Sequence, residues 1–328
     1  MLATGPKKMP TAKMPSANRE KHIILSCMRG SPGSRVVTGA VALALCATAA
    51  PPTFQGGITL VKTETTVFDK QTKIPIRNLT REDFVVFDGD EPRAIEYFGD
   101  DSGPLDLVLL LDVSGSMREV LPKVAVSAHT ALENLNDADR AGVMAFGARC
   151  SVVQPLTHDF DSVVSGILRT FVARVGEDTD ISQALRGAAE YVGRDGGSSR
   201  RAILIMTDNM QVTSIPDSDV EKSLFDADAV LDAVMIRGFL PTVHVAHPGV
   251  LRFAPATGGE VIEGRQPAPL LAQMIERIRS RYSIQFRPVD ASPDRARRIR
   301  VELTGTARKK YPNAVVRARA RYYSADPL

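Results

Sequence analysis

The rhythm of apolar positions changes twice along the chain. Over residues 56–100 apolar and β-branched residues alternate roughly with polar ones, through Ile58, Leu60, Thr63, Thr65 and Val67, then Phe84-Val85-Val86-Phe87, then a return over 93–98. Such alternation predicts strands that bury one face. Asp69-Lys70-Gln71-Thr72-Lys73 reads as a polar turn, and Asp88-Gly89 as a hairpin-type turn. Between them, 79–84 predicts one capped helical turn, with Thr80 as cap and Asp83 three residues on. Residues 99–104 read as a linker.

From 105 to 111 the chain is apolar except for Asp106, a near-continuous run that marks a strand buried on both faces. Helical spacing is expected over 118–135, 159–172, 180–193, 218–236 and 267–281. Strands are expected over 140–146, 150–156, 202–206, 241–246 and 282–286. Strands alternating with helices predict a doubly wound, mostly parallel sheet. After Pro288 alternation returns over 299–303 and 315–323. Two strands are too few for a domain, and the strands of 56–98 are no better placed alone. The expected architecture is therefore α/β, with the unit 104–287 inserted in a small β-sandwich. That sandwich is formed by an N-terminal flank (56–100) and a C-terminal flank (288–324).

The first 49 residues read differently. Residues 1–35 are polar and basic, and 36–47 form a short apolar run ending at Ala47-Thr48-Ala49 before Pro51-Pro52. A bilayer span needs about 20 apolar residues; a secretory leader needs about 7–15, a basic flank and an A-x-A site. Arg29 and Arg35 supply the flank, so the expectation is an export signal cleaved after Ala49, with no membrane span afterwards. Counted from Met28 the leader has ordinary proportions, which points to Met28 as the start. A lipoprotein reading of Cys46 meets Leu45 where a small residue is wanted.

That leader changes how the charge is read. The 328 residues carry 41 Lys+Arg and 38 Asp+Glu, a formal +3. Residues 1–49 hold seven of the basic and one of the acidic residues, so 50–328 keep 34 basic and 37 acidic, a net −3. The stretch 277–328 has 14 basic against 4 acidic residues. Alternating Arg there reads as the solvent face of strands. Aromatics are 5% and Trp is absent, so a base-stacking, nucleic-acid-binding surface is not expected. Three Cys exclude a disulfide scaffold, and beyond the leader Cys150 stands alone as a small buried hydrophobe.

The chemistry concentrates at Asp112-Val113-Ser114-Gly115-Ser116, where the first buried strand ends and a helix is expected. In open α/β sheets ligands bind at the carboxyl ends of strands. One carboxylate and two hydroxyls there suit a hard cation, which takes oxygen ligands. Thr179, opening Thr179-Asp180-Ile181-Ser182, and Asp208, closing Ile205-Met206-Thr207-Asp208, add two more oxygens at the same sheet edge. The plain alternative for Asp112, the serines and Thr179 is helix N-capping.

Asp-x-Ser-x-Ser with a later Thr and a strand-end Thr-Asp resembles the metal-ion-dependent adhesion site of von Willebrand factor A domains. Leu79-Thr80-Arg81-Glu82-Asp83-Phe84 and Tyr282-Ser283-Ile284-Gln285-Phe286 resemble flanks of the related family catalogued from acidobacterial genomes. The resemblance covers about 57–324. It implies a von Willebrand factor A (Rossmann-like) fold and a Mg²⁺ ion (or Mn²⁺) held by Asp112, Ser114, Ser116, Thr179 and Asp208, directly or through water. It also implies a protein partner that offers an exposed Asp or Glu carboxylate. Two positions depart from the pattern: Glu177-Asp178 precede Thr179, and Asn209-Met210 follow Asp208 where Gly is frequent.

Enzyme signatures are wanting. The second Asp of aspartate phosphotransferases is replaced by Ser114, and there is no G-x-S-x-G elbow at Ser114 and no P-loop lysine. His244 and His247 are spaced for a shared zinc but read as incidental. The sequence thus predicts a non-enzymatic, exported adhesion or assembly module, periplasmic or on the cell surface. A metal-dependent hydrolase and a structural protein with a vestigial site are the alternatives.

Overall fold

The computed structural model describes residues 60–100, 103–176, 178–197, 200–209, 214–237, 249–289 and 296–323. In chain order the elements begin with strands β1 (Val61–Asp69), β2 (Phe84–Asp88), β3 (Glu91–Arg93), β4 (Ile95–Gly99) and β5 (Leu105–Asp112). Helix α1 (Leu121–Leu132) leads to β6 (Arg140–Phe146) and β7 (Cys150–Thr157), then α2 (Phe160–Arg169) and α3 (Ile181–Asp195). Strand β8 (Arg200–Thr207), α4 (Asp217–Asp226), β9 (Ala229–Ile236), α5 (Gly249–Thr257) and β10 (Val261–Gly264) follow. The chain continues through α6 (Pro267–Arg279), β11 (Tyr282–Phe286), β12 (Arg297–Leu303), α7 (Gly305–Lys310), β13 (Ala314–Ala318) and β14 (Arg321–Tyr322). The described residues all belong to one unit, Gln55–Leu328.

The α/β core is a six-stranded sheet ordered β10-β9-β8-β5-β6-β7. Every pairing is parallel except β6 with β7. Helices α1, α2 and α6 cover one face and α3, α4 and α5 the other, each closing its own apolar cluster. This doubly wound arrangement explains the continuous apolar runs: all eight residues of β5 are buried. As the central strand, β5 carries its last residue, Asp112, to the middle of the sheet's carboxyl edge.

The flanks pair as expected. Two four-stranded sheets, β13-β1-β11-β4 and β14-β12-β2-β3, enclose a third apolar cluster. Thr80 and Asp83 form the expected reciprocal cap before β2. The two outer segments each split between sheets. The return after Gly89 gives β3 to one sheet and β4 to the other, and 314–322 divides likewise into β13 and β14. Strands that change sheets in this way make the corners of a sandwich.

Two expectations need correction, and two features go beyond them. Strand β11, placed by sequence within the α/β unit, lies between β1 and β4 in the sandwich. Its alternation is the reason: Tyr282, Ile284 and Phe286 face the flank core. There Tyr282 packs 5.3 Å from Phe84 and 5.6 Å from Phe98, ring to ring. The segment 218–236, read as one helix, is α4 followed by β9. Asp228 at φ 47° turns the chain, and the apolar Ala229–Ile236 run enters the sheet. Helix α5 and strand β10 went unread. The alternating Arg of β12 and β13 do face solvent, with Arg298, Arg300 and Arg317 exposed, but ahead of those strands Arg277, Arg279 and Arg281 are buried and paired with Glu260, Asp139 and Asp232. The expected leader, His244, His247 and the strand over 241–246 lie outside the described residues.

Candidate metal centre

Three neighbouring strand ends build the site. Asp112 is level with Phe146 of β6, while Leu111 is level with Met206 of β8. The next residue of β8, Thr207, donates its hydroxyl to Asp112 Oδ2 at 2.7 Å. The Ser114 amide donates to Asp112 Oδ1 at 2.9 Å. Asp112 is thus fully buried with each oxygen fixed by one donor. Burial pushes its carboxyl up to about 6, against the lowering by Thr207, the Ser114 amide and the Ser114 side chain, and with a further push from the nearby Asp208 charge.

The chain beyond Asp112 does not enter a helix at once. A 3-10 turn, Gly115–Met117, comes first, pinned by the buried Met117 and by its amide donating to Ser114 O at 3.0 Å. The turn folds Ser114 and Ser116 together, with their hydroxyl oxygens 3.2 Å apart. Helix α1 starts only at Leu121, capped by Val120, and the Ser114 side chain makes no capping bond. The capping alternative therefore fails for Asp112, Ser114 and Ser116.

It fails for Thr179 as well. The cap of α3 is Asp180, whose carboxylate accepts from the Gln183 amide at 2.9 Å. Asp180 also donates its own amide to Gly147 O at 2.9 Å, just past the end of β6. This ties the buried Thr179 to the strand end beside Asp112. Gly147 is required for that approach: a Cβ there would stand 2.5 Å from Gly176 O.

The structure therefore brings Asp112, Ser114 and Ser116 into one hydrogen-bonded turn. It sets Asp208 within electrostatic reach of Asp112, and docks Thr179 on the adjoining strand end. Sequence reading gave no role to Thr207 and noted Asn209 only as a departure. Both emerge only from the structure: the β5–β8 register sets Thr207 beside Asp112, and Asn209 stands at a left-handed φ of 60°, which Asn tolerates better than most residues.

The donor set is oxygen only: two carboxylates and three hydroxyls. Such a set fits a hard divalent cation of the Mg²⁺ or Mn²⁺ kind and not a soft one. A buried carboxylate held charged at neutral pH, with a second close by, is an environment that a cation would relieve. Among the described residues no group of three or more His, Cys, Asp or Glu gathers to hold a metal, so the candidate site rests on two carboxylates and on hydroxyls. Cys150 is no thiolate, because burial pushes its thiol up to about 12.

Parts of the chain are similar to known proteins. No curated protein matches the chain. A von Willebrand factor type A protein from Catenulispora acidiphila is 13% identical over 82% of this chain and 75% of its own, with a TM-score of 0.45. An aerotolerance-related membrane protein from Bacteroides fragilis is 15% identical over 53% of this chain and 98% of its own, with a TM-score of 0.42. The protein BatB from Bacteroides thetaiotaomicron is 15% identical over 53% and 97%, also with a TM-score of 0.42. In sequence, residues 107–211 match the family model of the von Willebrand factor type A domain. That span runs from β5 past β8 and contains Asp112, Ser114, Ser116, Thr179 and Asp208; this chain carries a von Willebrand factor type A domain.

Proposed function

We propose that the chain is an exported protein-binding module, not an enzyme. In this reading a Mg²⁺ ion, or Mn²⁺, is held by Asp112, Ser114, Ser116, Thr179 and Asp208, and it accepts an Asp or Glu side chain of a partner. At the coarse level, domains of this family mediate protein interactions, and residues 107–211 match it. No described helix is long and apolar enough to cross a membrane. Export itself rests on the basic, apolar and Ala-x-Ala pattern of residues 1–49.

One observation carries the metal reading. Asp112 is fully buried at the junction of three strand ends, fixed through both oxygens, beside hydroxyls that cap no helix. When bound, the cation supplies a Lewis-acid position for an incoming carboxylate. The protein's part is to hold the ligands still. Thr207 and the Ser114 amide lock the Asp112 rotamer, the 3-10 turn holds Ser114 against Ser116, and Gly147 keeps the Thr179 loop in place. Preorganisation of this kind lowers the ordering cost of binding.

The test is calorimetric titration with Mg²⁺ and Mn²⁺, followed by capture of exported or surface proteins with and without EDTA. Asp112→Ala is expected to abolish cation binding and cation-dependent capture while leaving the circular dichroism spectrum unchanged. Undetectable cation binding by the unaltered protein sinks the reading and leaves the site vestigial. Chelator-sensitive turnover of a phosphate ester or peptide would replace it with hydrolysis.

A further inference from the structure

Directly after Asp208 the chain places a carboxamide with no hydrogen-bond partner among the described residues. Asn209 is buried, with 6% of its surface exposed. Among the described residues neither its Oδ1 nor its Nδ2 finds a hydrogen-bond partner. A buried amide left unpaired costs free energy, so native proteins satisfy almost all of them with protein, water or ions. The position is also conformationally demanding, with φ at 60°. Glycine fits there without strain. A side chain that adds both backbone strain and an orphaned amide needs an explanation.

The backbone of Asn209 is wired to the site. Its amide donates to Thr207 Oγ1 at 3.0 Å, and the same hydroxyl donates to Asp112 Oδ2 at 2.7 Å. The relay fixes Asn209 relative to Asp112. It also spends the Thr207 proton on the carboxylate, so Thr207 cannot satisfy Asn209 Oδ1.

We infer that Asn209 is a positioning residue of the metal centre, whose carboxamide Oδ1 accepts a hydrogen bond from water in the cation's hydration shell. The inference rests on the proposed Asp112 metal site. Hard divalent cations of the Mg²⁺ type keep several waters when bound, and those waters are strong donors in need of acceptors. A carboxamide is a suitable acceptor next to two carboxylates because it adds no third negative charge. Partners one shell out from a metal are worth about 10–100-fold in affinity.

Titration of the full chain with Mg²⁺ alone, by calorimetry and by the Mg²⁺-induced rise in melting temperature, tests this. Asn209→Gly keeps the backbone conformation and removes the acceptor; it is expected to weaken Mg²⁺ at least tenfold and to shrink the thermal shift. Asn209→Asp keeps an acceptor oxygen and is expected to hold Mg²⁺ at least as tightly as the unaltered protein does. Equal Mg²⁺ affinity in Asn209→Gly, or a loss of affinity in Asn209→Asp, overturns the inference while the metal site stands. If the unaltered protein binds no Mg²⁺, the metal site and the inference fall together.

Discussion

Asp112 shows how a single residue can be readable and still surprising. Its place at the end of an apolar strand announced it as a site residue. Its energetics needed the structure, because only burial between β6 and β8 pushes the carboxyl up to about 6 from an ordinary 3.8. The sign follows from linkage. The folded state holds this proton more tightly than the unfolded chain does. Stability of the metal-free protein therefore falls as pH rises from about 4 to about 6, and the full cost is present above that. A difference of about two pH units is worth about 3 kcal/mol. In EDTA, the stability of Asp112→Asn relative to the unaltered protein is expected to rise by about 2–3 kcal/mol between pH 4 and 6.5. Urea midpoints measured across that range give the answer; a pH-independent difference would mean that burial does not penalise the charge. Thr207 illustrates the opposite limit. A threonine before a strand-end aspartate is unremarkable in sequence, and only the β5–β8 register reveals the bond it makes.

At the scale of elements, the site depends on loops that approach closely because glycine permits it. A Cβ on Gly147 would lie 2.5 Å from Gly176 O and 3.1 Å from Asp178 O, both backbone atoms. Gly147→Ala should displace the loop that carries Thr179, destabilise the fold by about 1–3 kcal/mol and reduce the Mg²⁺-induced rise in melting temperature. Gly115→Ala is the control within the same site, since a Cβ there meets nothing within 4 Å. Comparable loss of the thermal shift in both variants would argue against the loop as the cause. The elements that sequence misread share a physical reason. Strand β9 follows α4 after only a short turn, so helical spacing and a continuous apolar run merge in one window. Strand β11 has the alternating pattern of a half-buried sheet, but its sequence neighbour is a helix of the α/β unit.

Across the whole molecule, the sandwich and the α/β unit meet through buried ions. Arg281 donates to Asp232 Oδ1 at 2.6 Å and to Thr66 Oγ1 at 3.0 Å, linking β9 to β1. Arg277 reaches Glu260 at 2.9 Å and Arg279 reaches Asp139 at 2.9 Å. Arg200 of β8 lies 3.6 Å from Glu64 of β1 and donates to the Arg281 carbonyl at 3.1 Å. Buried pairs add little net stability, but breaking one strands a charge and costs about 3–5 kcal/mol. Arg281→Met is therefore expected to destabilise by that amount, and adding Asp232→Leu to recover more than half of it. Denaturant titration of the two variants decides, and a double variant no more stable than the single would show that the pair contributes through its geometry. Arg281 and Arg200 tie β1 of the sandwich to β9 and β8 of the sheet, whereas Arg277–Glu260 and Arg279–Asp139 close within the α/β unit.

The sequence by itself determined the period of most strands and helices, the enclosure of an α/β unit by two β flanks, and the gathering of oxygen-bearing residues at strand ends. Each of these is written in local spacing: continuous apolar runs, alternation, and oxygen-bearing residues at strand ends. Only the tertiary structure decided that β11 belongs to the sandwich and that the basic C-terminal stretch turns inward. It alone showed that the side chains of Asp112, Ser114, Ser116 and Thr179 cap no α-helix, and that Asn209 is buried without a hydrogen-bond partner among the described residues. These facts depend on which strand lies beside which and on what burial does to a charge or an amide, and neither is encoded in the spacing of neighbours along the chain.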